Sequence, residues 1–463
     1  MAAVSAARKA AFAILMAVER GHAHSDDLLR GRSVSALSAP DRHLATALVL
    51  GVLRWQIQLD RQLQAFLKRP NAKLDAEDLI ALRLGAFQLL HLDRIPARAA
   101  IDESVELTKQ AGHKFASGMV NAVLRKLAAS VPATQASVAL KGHDFSGAEE
   151  SAKSTGALAP EVQAHPAWMF DRWANFFGTD SACAICTHNQ AQPALTLRIE
   201  NPSAEAELLE AGVVLEPGEL LTSARIVSSG DVTATAAFLE GRVRSQDEGS
   251  QLVAEIAGKG SDLLDCCAAP GGKTFILAER NPQARIVACE SSPQRLEALR
   301  HRLASLSDLV DCRLADATAL TDDSAFDLVL ADVPCSGTGT LGRNPEIRHR
   351  LRPEEFARQA ERQRAILASA LRAVRPGGRV VYSTCSLEPE ENEQVVAAVL
   401  RDATDTRPVS LAKRLEEMRA EGVLTATGAD RLQSCITPEG YLRLLPGTFH
   451  TDGFFVALID KIG

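Results

Sequence analysis

The sequence predicts an α/β protein in which an all-helical N-terminal domain precedes a small α/β module and a Rossmann-like, doubly wound domain. Two patterns carry this prediction. Apolar residues recur every three or four positions through the first 130 residues, which is typical of consecutive helices. From residue 260 onward, strands and helices alternate, which is typical of a parallel sheet with right-handed crossovers. A length of 463 residues suits two to three domains, and an apolar share of 46% is enough for sizeable cores.

The N-terminal domain is predicted as a helical bundle without strands. Its helical periods cover residues 4–20, 40–67, 76–91, 98–111 and 115–128. Beyond them the pattern dissolves into Ala, Ser, Gly and isolated charges, which is typical of a linker. The predicted helical domain, linker, small module and large α/β domain therefore have the bounds 1–135, 136–160, 161–250 and 251–463.

In the large domain, short apolar runs predict strands and amphipathic stretches predict helices. The predicted strands are 261–265, 285–290, 310–315, 326–331, 378–384, 441–445 and 453–459. The predicted helices are 273–280, 293–304, 354–374 and 388–400. Ligands of such sheets bind beyond the carboxyl ends of the strands, so the residues that follow each strand are the candidate site.

Charge and cysteine content narrow the class of protein. The net charge is −7, yet the first 130 residues carry more Lys and Arg than Asp and Glu, which favours nucleic-acid contact there. Nine scattered cysteines argue against a disulfide framework. Cys183 and Cys186 lack a second pair, so we expect no metal. The longest apolar run, 44–53, is too short to span a bilayer, so we expect a cytoplasmic protein without membrane contact. We also expect a monomer.

The most informative stretch is 265–274, where a strand, a Pro-Gly-Gly turn and a helix start follow one another. Glycines let a backbone approach a ligand closely, and free N–H groups at a helix start attract anions. A phosphate-binding Walker A loop needs Gly where Cys267 stands, and the dinucleotide fingerprint is also absent. The stretch therefore predicts a nucleotide-like ligand without identifying it.

Acidic residues close four successive predicted strands of this domain. Asp265, Glu290, Asp316 and Asp332 each stand at or just after a strand end. Because the carboxyl ends of parallel strands meet at one edge, we expect these carboxylates to surround one ligand. Glu290 is placed to hold a ribose diol, and Asp316 is placed to hold an amino group of a base.

Two cysteines also follow predicted strands. Cys335 lies in the turn after strand 326–331, and Cys385 lies after strand 378–384. A cysteine becomes nucleophilic where its thiolate is favoured by cations, hydrogen bonds or a helix N-terminus. We expect a helix that starts near Pro389 to favour the thiolate of Cys385 in this way. No such setting is expected for the other cysteines of the large domain, which are predicted to be buried core residues. They are Cys266, Cys267, Cys289, Cys312 and Cys435.

The N-terminal sequence resembles the NusB-type RNA-binding domain. The resemblance rests on the stretches 42–44 through 53–55, 82–90 and 115–125. It implies RNA contact by basic side chains of this domain. The candidate phosphate contacts are Lys68, Arg69, Lys73, Lys114, Arg125 and Lys126.

The large domain resembles the RNA (cytosine-5) methyltransferase family. The strings that carry the resemblance are Cys-Cys-Ala-Ala-Pro-Gly-Gly-Lys-Thr at 266–274, Asp-Val-Pro-Cys-Ser-Gly-Thr-Gly at 332–339 and Tyr-Ser-Thr-Cys-Ser-Leu-Glu-Pro-Glu-Glu-Asn at 382–392. Together with the NusB-like N-terminal domain, this domain order resembles the bacterial Sun/Fmu (RsmB) type, which acts on small-subunit ribosomal RNA.

This resemblance implies an S-adenosylmethionine-dependent methyltransferase that methylates carbon 5 of a cytosine in 16S ribosomal RNA through a cysteine–carbon 6 adduct. It implies that Cys385 is the nucleophile, that Cys335 serves release of the product and that Asp332 holds the base edge. Lys273 supports either the base or the cofactor. The implied cofactor-binding residues are Asp265, Cys266, Ala268, Ala269, Pro270, Gly271, Gly272, Lys273, Glu290, Asp316 and Asp332.

Three alternatives stay open at this point. A Pro-Cys string provides the nucleophile in DNA cytosine-5 methyltransferases, which would make Cys335 the nucleophile. A non-catalytic RNA-binding or assembly factor could retain the fold, and another RNA such as tRNA could be the substrate. The target base must leave its stack, so a single-stranded or partly folded RNA is expected. The polar residues expected to line its access route are Arg343, Asn344, Pro345, Arg348 and His349.

Overall fold

The computed structural model describes residues 4–21, 23–70, 73–130 and 159–463. Nearly all of the predicted linker lies outside these described ranges. The chain divides into two compact units. Unit 1 comprises residues 1–191 together with 341–350, and unit 2 comprises residues 192–340 together with 351–463.

The described residues of unit 1 form helices and turns. The helices up to residue 191 are α1 (Ala6–Glu19), α2 (Ser25–Leu29), α3 (Arg32–Ser35), α4 (Ala39–Gln64), α5 (Ala76–His91), α6 (Ala97–Gln110), α7 (Ser117–Ser130), α8 (Pro160–Gln163), α9 (Ala167–Phe177) and α10 (Thr179–Gln190). At the start of α4, the Ser38 hydroxyl accepts a hydrogen bond from the Asp41 N–H, and Pro40 occupies the first turn, where it costs no hydrogen bond. The buried Arg83 of α5 pairs with Asp60 of α4 and Glu19 of α1. These pairs tie three helices of the predicted bundle together.

Unit 2 begins with a small four-stranded sheet. Its elements are β1 (Leu195–Arg198), α11 (Pro202–Glu210), β2 (Val214–Pro217), β3 (Ala224–Ser229), α12 (Ala236–Leu239) and β4 (Arg244–Ser245). The strand order is β2-β3-β1-β4, and all pairs are antiparallel. This is the small α/β module that the sequence predicts.

The larger part of unit 2 is an eight-stranded mixed sheet flanked by helices. Its strands are β5 (Asp262–Asp265), β6 (Arg285–Glu290), β7 (Val310–Leu314), β8 (Phe326–Asp332), β9 (Val374–Thr384), β10 (Thr406–Val409), β11 (Leu442–Leu444) and β12 (Phe454–Lys461). Its helices are α13 (Glu248–Ala257), α14 (Gly272–Arg280), α15 (Pro293–Arg302), α17 (Glu354–Ala373), α18 (Glu393–Asp402), α19 (Leu411–Ala420) and α20 (Ala426–Gln433), whereas α16 (Ile347–Arg350) belongs to unit 1.

The helices of this sheet cover both of its faces, as the doubly wound prediction requires. Neighbouring strand residues point to opposite faces, so Leu263 joins one core cluster and Leu264 joins the other. Helices α13, α14, α15, α19 and α20 pack on the first face, and α17 and α18 pack on the second. Each fully buried Leu or Val contributes about 1.5–3 kcal/mol to stability relative to an exposed one.

The sheet is parallel only in part. Its order is β10-β12-β9-β8-β5-β6-β7; β5 to β9 are mutually parallel, whereas β12 runs antiparallel to β9 and β10 antiparallel to β12. The α/β fold with a Rossmann-like sheet is therefore confirmed, but the expectation of a parallel sheet throughout is wrong for its last strands. The sequence also did not reveal β10, α19 or α20. Among the described helices, none combines the length and the apolar composition that crossing a bilayer requires.

The segment 341–350 belongs to unit 1, although residues on both sides of it belong to unit 2. Arg348 in this segment is 1% exposed. Its guanidinium donates to the side-chain oxygen of Gln190 at 2.7 Å and to the carbonyl oxygens of Arg54 and Ala164 at 3.3 Å each. The expectation that Arg348 lines an RNA access route is therefore wrong, because a side chain held this way cannot reach solvent. The neighbouring His349 places its Nε2 atom 2.7 Å from the carbonyl oxygen of Leu53.

Candidate active site at the strand ends of unit 2

The loop between β5 and α14 turns sharply and presents the start of a helix. Gly271 precedes α14 with a φ of 101°, a conformation that favours glycine. A Cβ atom at this position would also lie 3.0 Å from the Cδ1 atom of Leu299. The Ala268 N–H donates to the carbonyl oxygen of Cys289 at 2.9 Å, which fixes the loop to the end of β6. The free N–H groups of α14 thus stand at the carboxyl edge of the sheet.

Asp265 ends β5 as a buried carboxylate, 1% exposed. Its Oδ2 atom accepts a hydrogen bond from the Thr274 hydroxyl at 2.8 Å, whereas its buried Oδ1 atom has no hydrogen-bond partner among the described residues. Burial raises the pKa of Asp265 to about 6, and the nearby charge of Asp332 adds to the rise. An unpartnered oxygen on a buried carboxylate is costly without a ligand. Asp265 therefore provides an acceptor for a donor group or a cation.

Two more of the four acids predicted for the ligand site, Glu290 and Asp316, differ in exposure. Glu290 at the end of β6 is 4% exposed, and its carboxylate accepts from the Ser292 N–H at 2.8 Å and lies 3.3 Å from the Arg295 guanidinium. Asp316 is exposed and accepts hydrogen bonds from both the N–H and the hydroxyl of Thr318. These bonds lower the pKa of Asp316. Both side chains lie at the edge of the sheet where Asp265 lies.

The remaining residues of the predicted loop have structural neighbours of their own. Cys266 is buried at 1% exposure, and its N–H donates to the carbonyl oxygen of Leu330 at 2.9 Å. The carbonyl oxygen of Ala269 accepts from Arg295 at 3.3 Å, and Pro270 is exposed. A Cβ atom at Gly272 would lie 3.2 Å from the side chain of Gln246.

Lys273 and Asp332 form a partly buried ion pair. The distance from Lys273 Nζ to Asp332 Oδ2 is 2.8 Å, and the side chains are 14% and 24% exposed. The Ser383 hydroxyl donates to Asp332 Oδ1 at 2.8 Å, in keeping with the pairing of these two residues across β8 and β9. Burial lowers the pKa of Lys273, but the charge and hydrogen bond of Asp332 outweigh it, so the net shift is upward. Lys273 is therefore a fixed cation at this edge.

The two cysteines predicted for the site lie in contact. Their Sγ atoms are 3.3 Å apart, and both cysteines are free and partly exposed. The hydrogen bond with Cys385, together with burial, raises the pKa of Cys335 well above its usual value. Either sulfur can serve as the donor in this contact. After Asp332, the charge of Cys385 contributes to the upward shift of the Lys273 pKa, which places a cation near the two sulfurs.

The helix after Cys385 starts later than the sequence predicts. Residues 389–392 form turns, and α18 begins at Glu393 with Asn392 as its cap residue. The expectation of a helix start near Pro389 is therefore wrong. The Asn392 side chain instead accepts from the Thr384 hydroxyl at 2.5 Å and donates to the Ser386 carbonyl oxygen at 2.9 Å. These bonds hold the loop that carries Cys385.

A close backbone approach fixes the two cysteine loops together. The Gly339 N–H donates to the Cys385 carbonyl oxygen at 2.9 Å, and the Gly453 N–H donates to the Gly339 carbonyl oxygen at 2.8 Å. A Cβ atom at position 339 would lie 2.8 Å from the Cys385 carbonyl oxygen and 2.5 Å from that of Gly453. Only glycine fits here.

Motif strings alone assign no role to Glu391, a buried acid that follows Cys385 in the chain. Its side chain accepts hydrogen bonds from Ser336, Ser386 and Gln363, which belong to three separate segments of unit 2. Glu391 stands among Glu388, Glu390 and Glu393, so the sequence offered no signal that singles it out. The structure thus brings together the cysteines, Asp332 and Lys273 at the strand ends and adds one buried carboxylate behind them.

Comparison with known proteins identifies the family of each part of the chain. A family model described as 16S rRNA methyltransferase RsmB/F matches residues 257–460, and one described as the NusB family matches residues 5–129. A third, described as a Methyltr_RsmF/B-like, ferredoxin-like domain, matches residues 165–230. The NusB-like domain and the methyltransferase domain that the sequence predicts are confirmed.

Relatives match the chain over its whole length. The chain is 34% identical to the probable ribosomal RNA small subunit methyltransferase B of Bacillus subtilis, over 98% of this chain and 99% of the relative. It is 32% identical to the probable ribosomal RNA small subunit methyltransferase B of Synechocystis, again over 98% of this chain and 99% of the relative. The crystal structure of PH0851 shares the fold with a TM-score of 0.75, at 23% identity, over 99% of this chain and 100% of that chain. The chain therefore belongs to the RsmB/F family of 16S rRNA methyltransferases.

Proposed function

We propose that this chain methylates carbon 5 of a cytosine in 16S ribosomal RNA, with S-adenosylmethionine as the methyl donor and a transient bond between Cys385 and carbon 6. The observation that carries the proposal is the contact between the two sulfur atoms, 3.3 Å apart. A methyltransferase that transfers to a nucleophilic nitrogen or oxygen needs no paired thiols. Carbon 5 of cytosine is a poor nucleophile and requires activation by covalent addition at carbon 6.

The residues at the strand ends fit S-adenosylmethionine. The unpartnered Oδ1 atom of Asp265 suits an ammonium group or a hydroxyl, and the free N–H groups of α14 suit a carboxylate. Glu290 suits the ribose hydroxyls, and Asp316 suits the amino group of adenine. When bound, S-adenosylmethionine supplies a methyl group on a sulfonium that reacts with carbon nucleophiles.

Cys385 would carry out the first chemical step. Its thiolate adds to carbon 6 of the cytosine, and electron density moves onto carbon 5. Asp332 would hold the edge of the base and favour a protonated ring nitrogen, which takes up the charge that the addition creates. Lys273 fixes the Asp332 carboxylate at 2.8 Å and supplies positive charge near the attacking sulfur.

Cys335 would act after the methyl group has been transferred. While Cys385 is a thiolate, the hydrogen bond between the sulfurs keeps Cys335 protonated, and this bond is the largest cause of its raised pKa. Once the Cys385 sulfur is bonded to carbon 6, that cause is removed. Cys335 then releases its proton to water, and its thiolate takes the proton of carbon 5. The electron pair of that carbon–hydrogen bond re-forms the carbon 5–carbon 6 double bond, and the Cys385 sulfur leaves carbon 6 as a thiolate. The two sulfurs thus exchange roles during one turnover.

Unit 1 would supply contacts to the RNA backbone. The six basic side chains predicted for this role are all exposed, as phosphate contact requires. They are Lys68, Arg69, Lys73, Lys114, Arg125 and Lys126. Because a cytosine must leave its stack to reach the cysteines, a single-stranded or incompletely folded segment of the RNA is the favoured target.

The test of the proposed function is methyl transfer to ribosomal RNA in vitro. Purified protein is incubated with S-adenosylmethionine labelled in the methyl group and with unmodified 16S RNA, and digested nucleosides are separated by mass. We expect the label in 5-methylcytidine at one position of 16S RNA. Label in another nucleoside would contradict the proposed chemistry. Label in transfer RNA but not in 16S RNA would contradict the proposed substrate.

Asp265→Asn is expected to stabilise the cofactor-free protein above pH 6 while weakening cofactor binding. The folded pKa of about 6 exceeds the usual value of 3.8, so the unfolded state loses its proton first. Stability due to this group is therefore present below pH ~4 and is lost as pH rises through ~6, a cost of ~3 kcal/mol that asparagine avoids. Cofactor affinity should fall at least about tenfold, because a charge-assisted bond is lost.

Thermal unfolding between pH 4 and 8 and calorimetric titration with S-adenosylmethionine measure the two effects of this substitution. Asp262→Asn is the matched control at the other end of β5. Arg375 and Arg285 lower the Asp262 pKa, so its removal should reduce stability at neutral pH and leave cofactor affinity unchanged. Unchanged affinity in Asp265→Asn would contradict its assignment to the cofactor.

A further inference from the structure

Glu391 is a buried carboxylate with an unusual number of donors around it. It is 0% exposed. Its Oε1 atom accepts from the Ser336 N–H at 2.9 Å and from the Gln363 side-chain amide at 3.0 Å. Its Oε2 atom accepts from the hydroxyls of Ser336 and Ser386. Four donors satisfy this single carboxylate.

Three of these four donor groups belong to the two loops that carry the reactive sulfurs. Ser336 directly follows Cys335 in the chain, and Ser386 directly follows Cys385. The carboxylate of Glu391 therefore bonds both loops at the residue next to each sulfur. The two hydroxyls also lie 3.1 Å apart, so the two serines and the carboxylate form one hydrogen-bonded group.

Neighbouring contacts hold Glu391 in turn. Its backbone carbonyl oxygen accepts from the Tyr382 hydroxyl at 2.6 Å. Gln363 of α17 donates to the carbonyl oxygen of Pro334 at 2.9 Å as well as to the Glu391 carboxylate. Contacts from β9 and α17 thus hold Glu391 in place, and its carboxylate in turn holds the loops of Cys335 and Cys385 through hydrogen bonds.

We propose that Glu391 is a positioning residue that holds the sulfurs of Cys335 and Cys385 in contact. Hydrogen bonds to a buried carboxylate are charge-assisted, short and directional. A displacement of about 1 Å between reacting groups costs a factor on the order of 100 in rate. The kinetic importance of Glu391 rests on the proposed function, whereas its effect on the distance between the sulfurs does not.

The distance between the Cys335 and Cys385 sulfurs is tested by the rate at which they form a disulfide. Diamide oxidises a thiol pair by accepting two electrons and two protons, so no RNA or cofactor is needed. After alkylation and digestion, mass spectrometry measures the peptide pair linked through Cys335 and Cys385. We expect Glu391→Ala to slow this linkage at least about tenfold relative to the unmodified protein. Glu391→Gln keeps one acceptor oxygen and should restore part of the rate.

Glu248→Ala is the matched control for the loss of a buried carboxylate in unit 2. Glu248 is 3% exposed and accepts from the N–H groups of Glu219, Leu220 and Leu221. Its removal should lower the melting temperature without changing the disulfide rate. If Glu391→Ala forms the disulfide as fast as the unmodified protein, or if Glu248→Ala slows it equally, Glu391 does not position the sulfurs.

Steady-state kinetics provide a second readout. Glu391→Ala should lower kcat about 10- to 100-fold, with KM for RNA and for S-adenosylmethionine changed only a few-fold. A rise in KM at constant kcat would contradict a positioning role. If Glu391→Ala does not fold, Ser386→Ala removes one of the four hydrogen bonds and should slow the disulfide more mildly. Failure of cytosine methylation would overturn the proposed function and leave the disulfide result standing.

Discussion

Cys385→Ala is expected to abolish methyl transfer, with a loss in turnover of at least about 10⁴-fold. Without a sulfur at this position nothing adds to carbon 6, and carbon 5 stays too poor a nucleophile to react. Incorporation of labelled methyl groups into 16S RNA measures the loss, and the variant should form no protein–RNA adduct.

The control for this substitution is Cys435→Ala. Cys435 is a free, partly buried cysteine that packs against the core on one face of the sheet. Its removal should leave methyl transfer intact. Substantial turnover in Cys385→Ala would instead assign the nucleophile to another group, with Cys335 as the first candidate by analogy with DNA cytosine-5 methyltransferases.

Cys335→Ala is expected to have the opposite signature, the accumulation of a covalent complex between protein and RNA. Cys385 can still add to carbon 6 and methylation can still follow. The proton of carbon 5 then lacks its acceptor, so the carbon–sulfur bond does not break. On denaturing gels with labelled RNA, we expect at least about ten times more shifted RNA than with the unmodified protein.

The pair of variants distinguishes the two assignments of the cysteines. A complex that survives denaturation in Cys385→Ala but not in Cys335→Ala would exchange their roles. The adduct in Cys335→Ala should also require Asp265, because methylation precedes the blocked step. Combining Cys335→Ala with Asp265→Asn should therefore reduce the complex at low cofactor concentration, and restoration at high concentration would show that affinity is the cause.

Local sequence patterns predict the elements of this fold well and their directions poorly. The helical periods of the first 130 residues match α1, α4, α5, α6 and α7 to within a few residues. The run that forms β12 is apolar whichever way it crosses the sheet, so its antiparallel pairing with β9 could not be foreseen from periodicity. The short β10 carries Pro408 and two partly exposed ends, which hides it among loops.

The candidate site was likewise predictable where it depends on local sequence motifs, and not predictable where it depends on contacts between residues distant in the chain. Motif strings locate Cys335 and Cys385 in the chain, and the strand-end rule places them at one edge of the sheet. The contact between their sulfurs, however, depends on Gly339, Gly453 and Glu391, whose partners are 50 or more residues distant in several cases. For Arg348 the local pattern was misleading. A basic residue in a polar segment is predicted to be exposed, and only the folded structure reveals its buried hydrogen-bond acceptors.

The placement of residues 341–350 within unit 1 bears on how the chain can be divided. The polypeptide passes between the units at three points, after residues 191, 340 and 350, so no single cut separates them. A fragment that starts at residue 192 would retain this segment but strip the Arg348 guanidinium of its acceptors on Gln190, Arg54 and Ala164. Because the segment begins six residues after Cys335, the loss would affect the part of the chain that directly follows a reactive loop. A fragment that keeps unit 1 intact must therefore include residues 341–350.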